Sequence, residues 1–168
     1  MLIQQANDLA AEAQERRNRR EQEVIELHSG VKITLAEINA TVTANRQPYV
    51  ALFPNEVPFF SELSRLSGLN FDPTVFIKPA VVGTWLCELI YDRFAKDVLP
   101  ALRALNPAYT NGIRPHKHSQ YLTLEGQAKL VQYRDEAVTL MKACTSMYEF
   151  RQKMLQKYGV PYQVEIFA

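Results

Sequence analysis

Apolar residues recur at three- and four-residue steps along most of the chain, and proline, glycine and asparagine cut the runs they form. That period marks amphipathic helices. Residues 1–28 carry Leu2, Ala6, Leu9, Ala10 and Ala13 in a helical stripe that breaks at ERRNRRE and resumes at Val24, Ile25 and Leu27. With no glycine or proline inside it, the segment predicts one long polar helix that stops at Gly30. A sustained coiled coil needs more unbroken heptads than this stretch offers. Glu12, Glu15, Glu21 and Glu23 are placed to pair with the neighbouring arginines along the helix.

The next helix is predicted over Leu35–Arg46, where Ile38 and Val42 continue an apolar face and Gln47-Pro48 ends it. Asn55 is the expected cap of a short helix from about Pro58 to Gly68, with Phe53, Phe59, Phe60, Leu63 and Leu66 in the core. A connector holding Pro73 and Pro79 leads to a buried helix over 81–94, with Trp85, Leu86, Leu89 and Ile90 on one face. Asp97 is expected to cap a helix through Leu105 that Asn106-Pro107 breaks. Thr123 caps a long helix carrying Leu130, Val131, Val138, Leu140 and Met141 inward. Ser146 with Glu149 caps the last, which Gly159 closes. The tail VPYQVEIFA reads as a strand or an extended segment. The fold class is mostly α: one compact helical domain over 31–168, an N-terminal helical arm over 1–30, and a short extended C-terminal tail.

Composition sharpens this picture. A chain of 168 residues, 47% hydrophobic and with net charge +1, can bury about two-thirds of its unfolded surface without a metal or disulfide. Disorder throughout and a uniformly basic nucleic-acid coat are excluded. No run approaches the roughly eighteen apolar residues of a membrane-spanning helix. The N-terminus sets its apolar residues before its arginines, which does not suit a secretory signal. Cys87 and Cys144 sit in apolar helical segments and read as buried reduced thiols, so a cytoplasmic protein with no membrane partner is expected. The near-neutral total hides an asymmetry: residues 103–157 hold nine Lys and Arg against four Asp and Glu. That excess points to an acidic partner for the C-terminal half.

The one long irregular polar stretch, 106–122, contains Arg114, His116, Lys117, His118, Gln120 and Tyr121. In an extended loop, His116 and His118 would face one side and Lys117 the other. Three readings stay open. The cations contact phosphates while Tyr121 stacks on a base; the histidines ligate a metal or act as an acid–base pair; or the loop is structural. The metal reading lacks ligands, since His28 is the only other histidine and no cysteine or carboxylate lies at ligand spacing. No glycine-rich phosphate loop, nucleophile elbow or HExxH helix is present, and Asp135-Glu136 reads as a solvated helix face. The expectation is a protein without cofactor, metal or turnover.

Taken in order, LFPNEVPFF at 52–60, KPAVVGTW at 78–85, LIYDRFAKDVLPALRALNP at 89–107, RPHKHSQYLT at 114–123 and LMKA at 140–143 resemble the P-sixty-three-C domain. The resemblance covers about 50–159. Members of that family usually carry a second consecutive histidine where Ser119 stands and a tryptophan where Tyr121 stands. The resemblance implies a phage or prophage regulator related to antirepressor-type proteins, with this domain commonly C-terminal to another module. About fifty residues precede it here, which suggests a stand-alone or truncated version. The expected function is an accessory regulator that binds nucleic acid through the His/Lys/Arg loop. The alternative is a protein–protein module acting on a host or phage protein, with residues 1–28 serving self-association or docking and Ile166-Phe167 in the tail as a second contact.

Overall fold

A computed structural model describes residues 2–21, 24–26 and 32–161. Helix α1 (Leu2–Glu21) lies within the segment expected to be an arm, and its described side chains, 7–19, are all exposed. Glu12 pairs with Arg16 at 3.3 Å and Glu15 with Arg19 at 3.2 Å. In both, the glutamate sits N-terminal to its partner, the orientation that also suits the helix dipole. The arm is shorter than predicted. Strands β1 (Val24–Glu26) and β2 (Lys32–Thr34) form an antiparallel pair, with Val24 opposite Thr34 and Ile25 opposite Ile33. Those β-branched residues favour extended pairing, and their spacing imitates a helical stripe. Gly30, the expected stop, lies outside the described residues.

Helix α2 (Leu35–Thr41) also ends early, well before Arg46. Its outgoing chain is captured by a segment about eighty residues away in sequence, as described below. Helix α3 (Phe59–Ser67) ends at Gly68, whose φ of 70° places it in the left-handed region. No side chain caps its start, so the Asn55 cap is not formed. Helix α4 (Ala80–Leu89) runs into a 3-10 turn over Tyr91–Arg93. It is less buried than expected: Val82, Leu89 and the following Ile90 are covered, while Trp85 and Leu86 are half-buried. Helix α5 (Val98–Leu105) starts after Asp97, which makes no side-chain cap.

Helix α6 (Leu124–Lys142) is the spine, packing against α2, α3 and α7. Thr123 Oγ1 accepts from Gly126 N at 3.0 Å, the predicted cap. Helix α7 (Met147–Tyr158) begins with Ser146 Oγ accepting from Glu149 N at 3.1 Å and ends at Gly159, φ 68°. Phe59, Leu63, Leu102, Leu130, Met141 and Phe150 are fully buried at the centre. Each such side chain contributes about 1.5–3 kcal/mol by leaving water. The fold is mostly α, as the periodicity predicted. Cys144 is buried and Cys87 half-buried; neither forms a disulfide, and burial pushes both thiols up. Among the described residues no helix is long and apolar enough to cross a membrane. Most of the tail, with Ile166-Phe167, lies outside the described residues.

Cations tie the helices together. Arg65 donates to the carbonyls of Met141 at 2.8 Å and Cys144 at 3.0 Å, satisfying acceptors at the end of α6. Arg151 pairs with Glu88 at 2.8 Å, joining α7 to α4. Arg93 lies between two rings, its guanidinium carbon 4.2 Å from the Tyr133 centroid and 4.0 Å from that of Tyr158. It also pairs with Glu136 and donates to the Tyr133 carbonyl at 3.3 Å. Glu136 is therefore no solvated face residue, and only Asp135 keeps that character. Partial burial pushes the Glu136 carboxyl up, but hydrogen bonds from Gln132 and Arg93, with the charge of Arg93, hold it below its usual range.

Candidate functional site

The 106–121 loop begins at Asn106, the residue closing α5, and ends in a 3-10 turn over His118–Tyr121. Its tip is the turn that Asn111-Gly112 predicts. Gly112 takes φ 80°, Asn111 Oδ1 accepts from Ile113 N at 3.1 Å, and Tyr109 N donates to the Ile113 carbonyl at 2.8 Å.

The second half of the loop is sewn to the chain leaving α2. Thr123 N donates to the Thr41 carbonyl at 2.9 Å, Thr43 N to the Tyr121 carbonyl at 2.9 Å, and Gln47 N to the Gln120 carbonyl at 2.7 Å. Val42 and Leu122 form the bridge between them. These bonds explain why α2 stops: its last carbonyl, at Thr41, and the amides of Thr43 and Gln47 find partners across the fold instead of along the helix. Gln120 reinforces the seam, donating to the Gln47 carbonyl at 3.2 Å and accepting from Lys117 N at 3.0 Å.

The six candidate residues lie together but do different jobs. Tyr121 is 8% exposed, with its ring in the core. Arg114 reaches back to the Asn106 carbonyl at 2.5 Å. His118 packs edge-on against buried Tyr91, ring centroids 5.7 Å apart. His116 meets Arg46, with Nη1 to Nε2 at 2.5 Å. A guanidinium only donates, so a bond there requires Nε2 as the acceptor. The two histidines thus do not share a side, because the 3-10 turn starting at His118 rotates the chain out of its extended path. Lys117 alone among the six is exposed; its ammonium lies 4.4 Å over the ring of Phe76.

Asn106 is the residue that sequence reasoning missed, since Asn-Pro reads only as a helix stop. It is fully buried and organises the loop: Nδ2 donates to the His116 carbonyl at 2.7 Å and lies 3.4 Å from His118 Nδ1. Its Oδ1 has no partner among the described residues. Ser119, also buried, hydrogen-bonds the phenol of Tyr91 through its backbone and side chain, while burial pushes that phenol up. No group of three potential metal ligands occurs among the described residues.

Burial, then the charges of Arg114 and Arg103, push the imidazole of His118 down to about 4. Its folded value lies below its unfolded one, near 6.5, so the unfolded chain binds the proton first. Stability from this group is present above about pH 6.5 and declines as pH falls toward 4. Asp92, raised first by burial, acts in the opposite direction on acidification. Chemical denaturation at pH 7 and pH 4.5 should show a loss for the native chain that is smaller in His118→Asn relative to that variant's own pH 7 value. An unchanged difference would reject the assignment.

These features define a class: a small helical domain whose 106–121 loop is pinned to the core along one edge and presents a cation, Lys117, on the other. Within that class, the chain belongs to the P-sixty-three-C domain family, whose model matches residues 38–130. The match begins earlier than the expected 50, within α2, and so includes the segment that holds the loop; it ends within α6 at 130, short of the expected 159, and leaves LMKA at 140–143 outside it. No curated protein and no solved structure matches the chain.

Proposed function

We propose that the protein is a phage- or prophage-derived accessory regulator of the cytoplasm that acts by binding, without turnover, and contacts nucleic acid at the outer edge of the 114–121 loop. One observation carries this reading. Arg65, Arg93, Arg134, Arg151 and Lys153 in the helical body are each held by a carboxylate. Arg46, Lys78, Arg114 and Lys117 have no such partner among the described residues; Lys96, Arg103, Lys129, Lys142 and Lys157 have none either, but the first four gather at one place, at or beside the loop. Cations left without carboxylates on one surface supply the sequence-independent part of nucleic-acid affinity. Inward-turned Arg114, His118, Gln120 and Tyr121 then hold the loop in shape, and Lys117 with Arg46 makes the contact. The test is a titration of DNA at salt concentrations between about 50 and 200 mM. Affinity should fall linearly on a log–log plot, and Lys117→Ala should lower the slope by about 0.7–0.9, one phosphate's share. Absence of any binding at low salt would end this reading.

A second reading is favoured by α1, whose described side chains are exposed on every face, Leu9 among them. An arm of that kind suits self-association or docking on a host or phage protein. Removing residues 1–21 should then dissociate the oligomer or release a co-purifying protein; an unchanged sedimentation profile and composition would count against it.

A further inference from the structure

The connector between α3 and α4 is more than a link. Pro73 and Pro79 bracket a turn in which Asp72 Oδ1 accepts from Thr74 N at 2.9 Å and Thr74 Oγ1 at 2.6 Å. Lys78 Nζ closes it by donating to the Val75 carbonyl at 2.7 Å. The turn so held thrusts three consecutive large apolar residues into solvent: Val75, Phe76 (73% exposed) and Ile77 (83% exposed). Solvent exposure of a phenylalanine inside such a run marks a contact surface.

The surroundings of that ring are cationic. The Lys117 ammonium lies 4.4 Å over Phe76, and that of Lys78 lies 4.4 Å over Phe60. The two ammonium groups are near enough to repel: after burial, the charge of Lys117 is the next cause lowering Lys78. Their favourable neighbours are aromatic faces, a weak hold at an exposed site that a phosphate would replace. Asp72, the nearby carboxylate, is occupied with its own turn. Two more exposed rings lie on segments joined to the loop: Tyr49, two residues from the bonded Gln47, and Tyr109, at the loop tip.

We infer that this surface binds single-stranded nucleic acid, with Phe76 as a platform for an unpaired base and Lys117 and Lys78 on the flanking phosphates. The inference rests on the nucleic-acid reading above and specifies its substrate. An exposed ring between cations is the arrangement that recognises an unpaired strand. A duplex keeps its base faces stacked inside and offers the ring nothing but backbone. An acidic protein would satisfy the lysines, yet it would leave the ring faces without a planar partner.

Anisotropy titrations of the full chain with a labelled oligo-dT strand, a mixed-sequence duplex of equal length and poly-glutamate test this. The single strand should bind most tightly. Phe76→Ala should weaken it roughly 5- to 150-fold, the range for losing one stacked base, and leave duplex affinity unchanged. Phe76→Trp should keep the affinity, with indole fluorescence quenched by the single strand and not by the duplex. Because Phe76 is exposed, the melting temperature of Phe76→Ala should match that of the native chain. If Lys117→Ala weakens binding and Phe76→Ala does not, the inference falls and the broader reading stands. If neither oligonucleotide binds at low salt, both fall. Tighter binding of poly-glutamate than of either oligonucleotide would assign the surface to a protein.

Discussion

Gly126→Ala should destabilise the protein by about 1–3 kcal/mol, although an exposed helical glycine gains up to about 1 kcal/mol on the same change. The reason is contact with backbone. A methyl group at Gly126 would lie 2.5 Å from the Thr41 carbonyl oxygen and 3.3 Å from Leu122 Cβ. That carbonyl also accepts from Thr123 N at 2.9 Å and lies 3.3 Å from Thr123 Oγ1. It cannot retreat without opening the start of α6 and the seam beside the loop. Gly83 is the internal control, because a Cβ there meets nothing within 4 Å in the middle of α4. Gly83→Ala should therefore stabilise by about 0.5–1 kcal/mol. Thermal unfolding followed by circular dichroism reads both, at about 2–4 °C per kcal/mol for a chain of this size. Equal shifts in the two variants would contradict the packing described.

Arg93→Ala should cost about 2–4 kcal/mol, somewhat less than the 3–5 kcal/mol of a fully buried pair that loses one member. Arg93 is 7% exposed in its side chain and Glu136 28%, so part of the abandoned carboxylate's penalty is met by water. The larger part of the loss is shape, since two tyrosine rings close on the guanidinium plane. Arg93→Lys keeps the charge without the plane and should recover only part of the loss. Adding Glu136→Gln to Arg93→Ala removes the stranded charge and should recover only that smaller part of the loss, leaving the double variant well below Glu136→Gln alone because the ring packing stays lost. Urea denaturation of the four proteins closes the cycle. A coupling energy indistinguishable from zero would show that ring packing, and no ion pair, holds this corner.

Much of the fold governed by local chemistry was legible in the sequence, the expected Asn55 and Asp97 caps excepted. Thr123 and Ser146 accept from amides three residues on, and Gly68 and Gly159 adopt the left-handed conformation their positions predict. What stayed hidden depends on partners far along the chain. The early end of α2 follows from bonds to residues 120–123, and the strand pair at 24–34 from β-branched residues whose spacing imitates a helix. The site divides in the same way. The composition of the loop was visible, but the inward turn of Tyr121 and Arg114 and the burial of Asn106 were set by tertiary packing. Phe76 stood in a proline-flanked connector with no periodic signal, and only its position beneath Lys117 draws it into the site.

The seam between 41–47 and 119–123 has a consequence for synthesis of the chain. Thr43 emerges long before its partner Tyr121, and at about 5–20 residues per second the interval is roughly 4–16 s. During that time the segment after α2 is an unpaired edge, open to any extended chain nearby. Arg46 and Pro48 are the kinds of residue that discourage such pairing, one by charge and the other by lacking an amide hydrogen. The residues around the seam thus guard a nascent edge before they serve a finished loop.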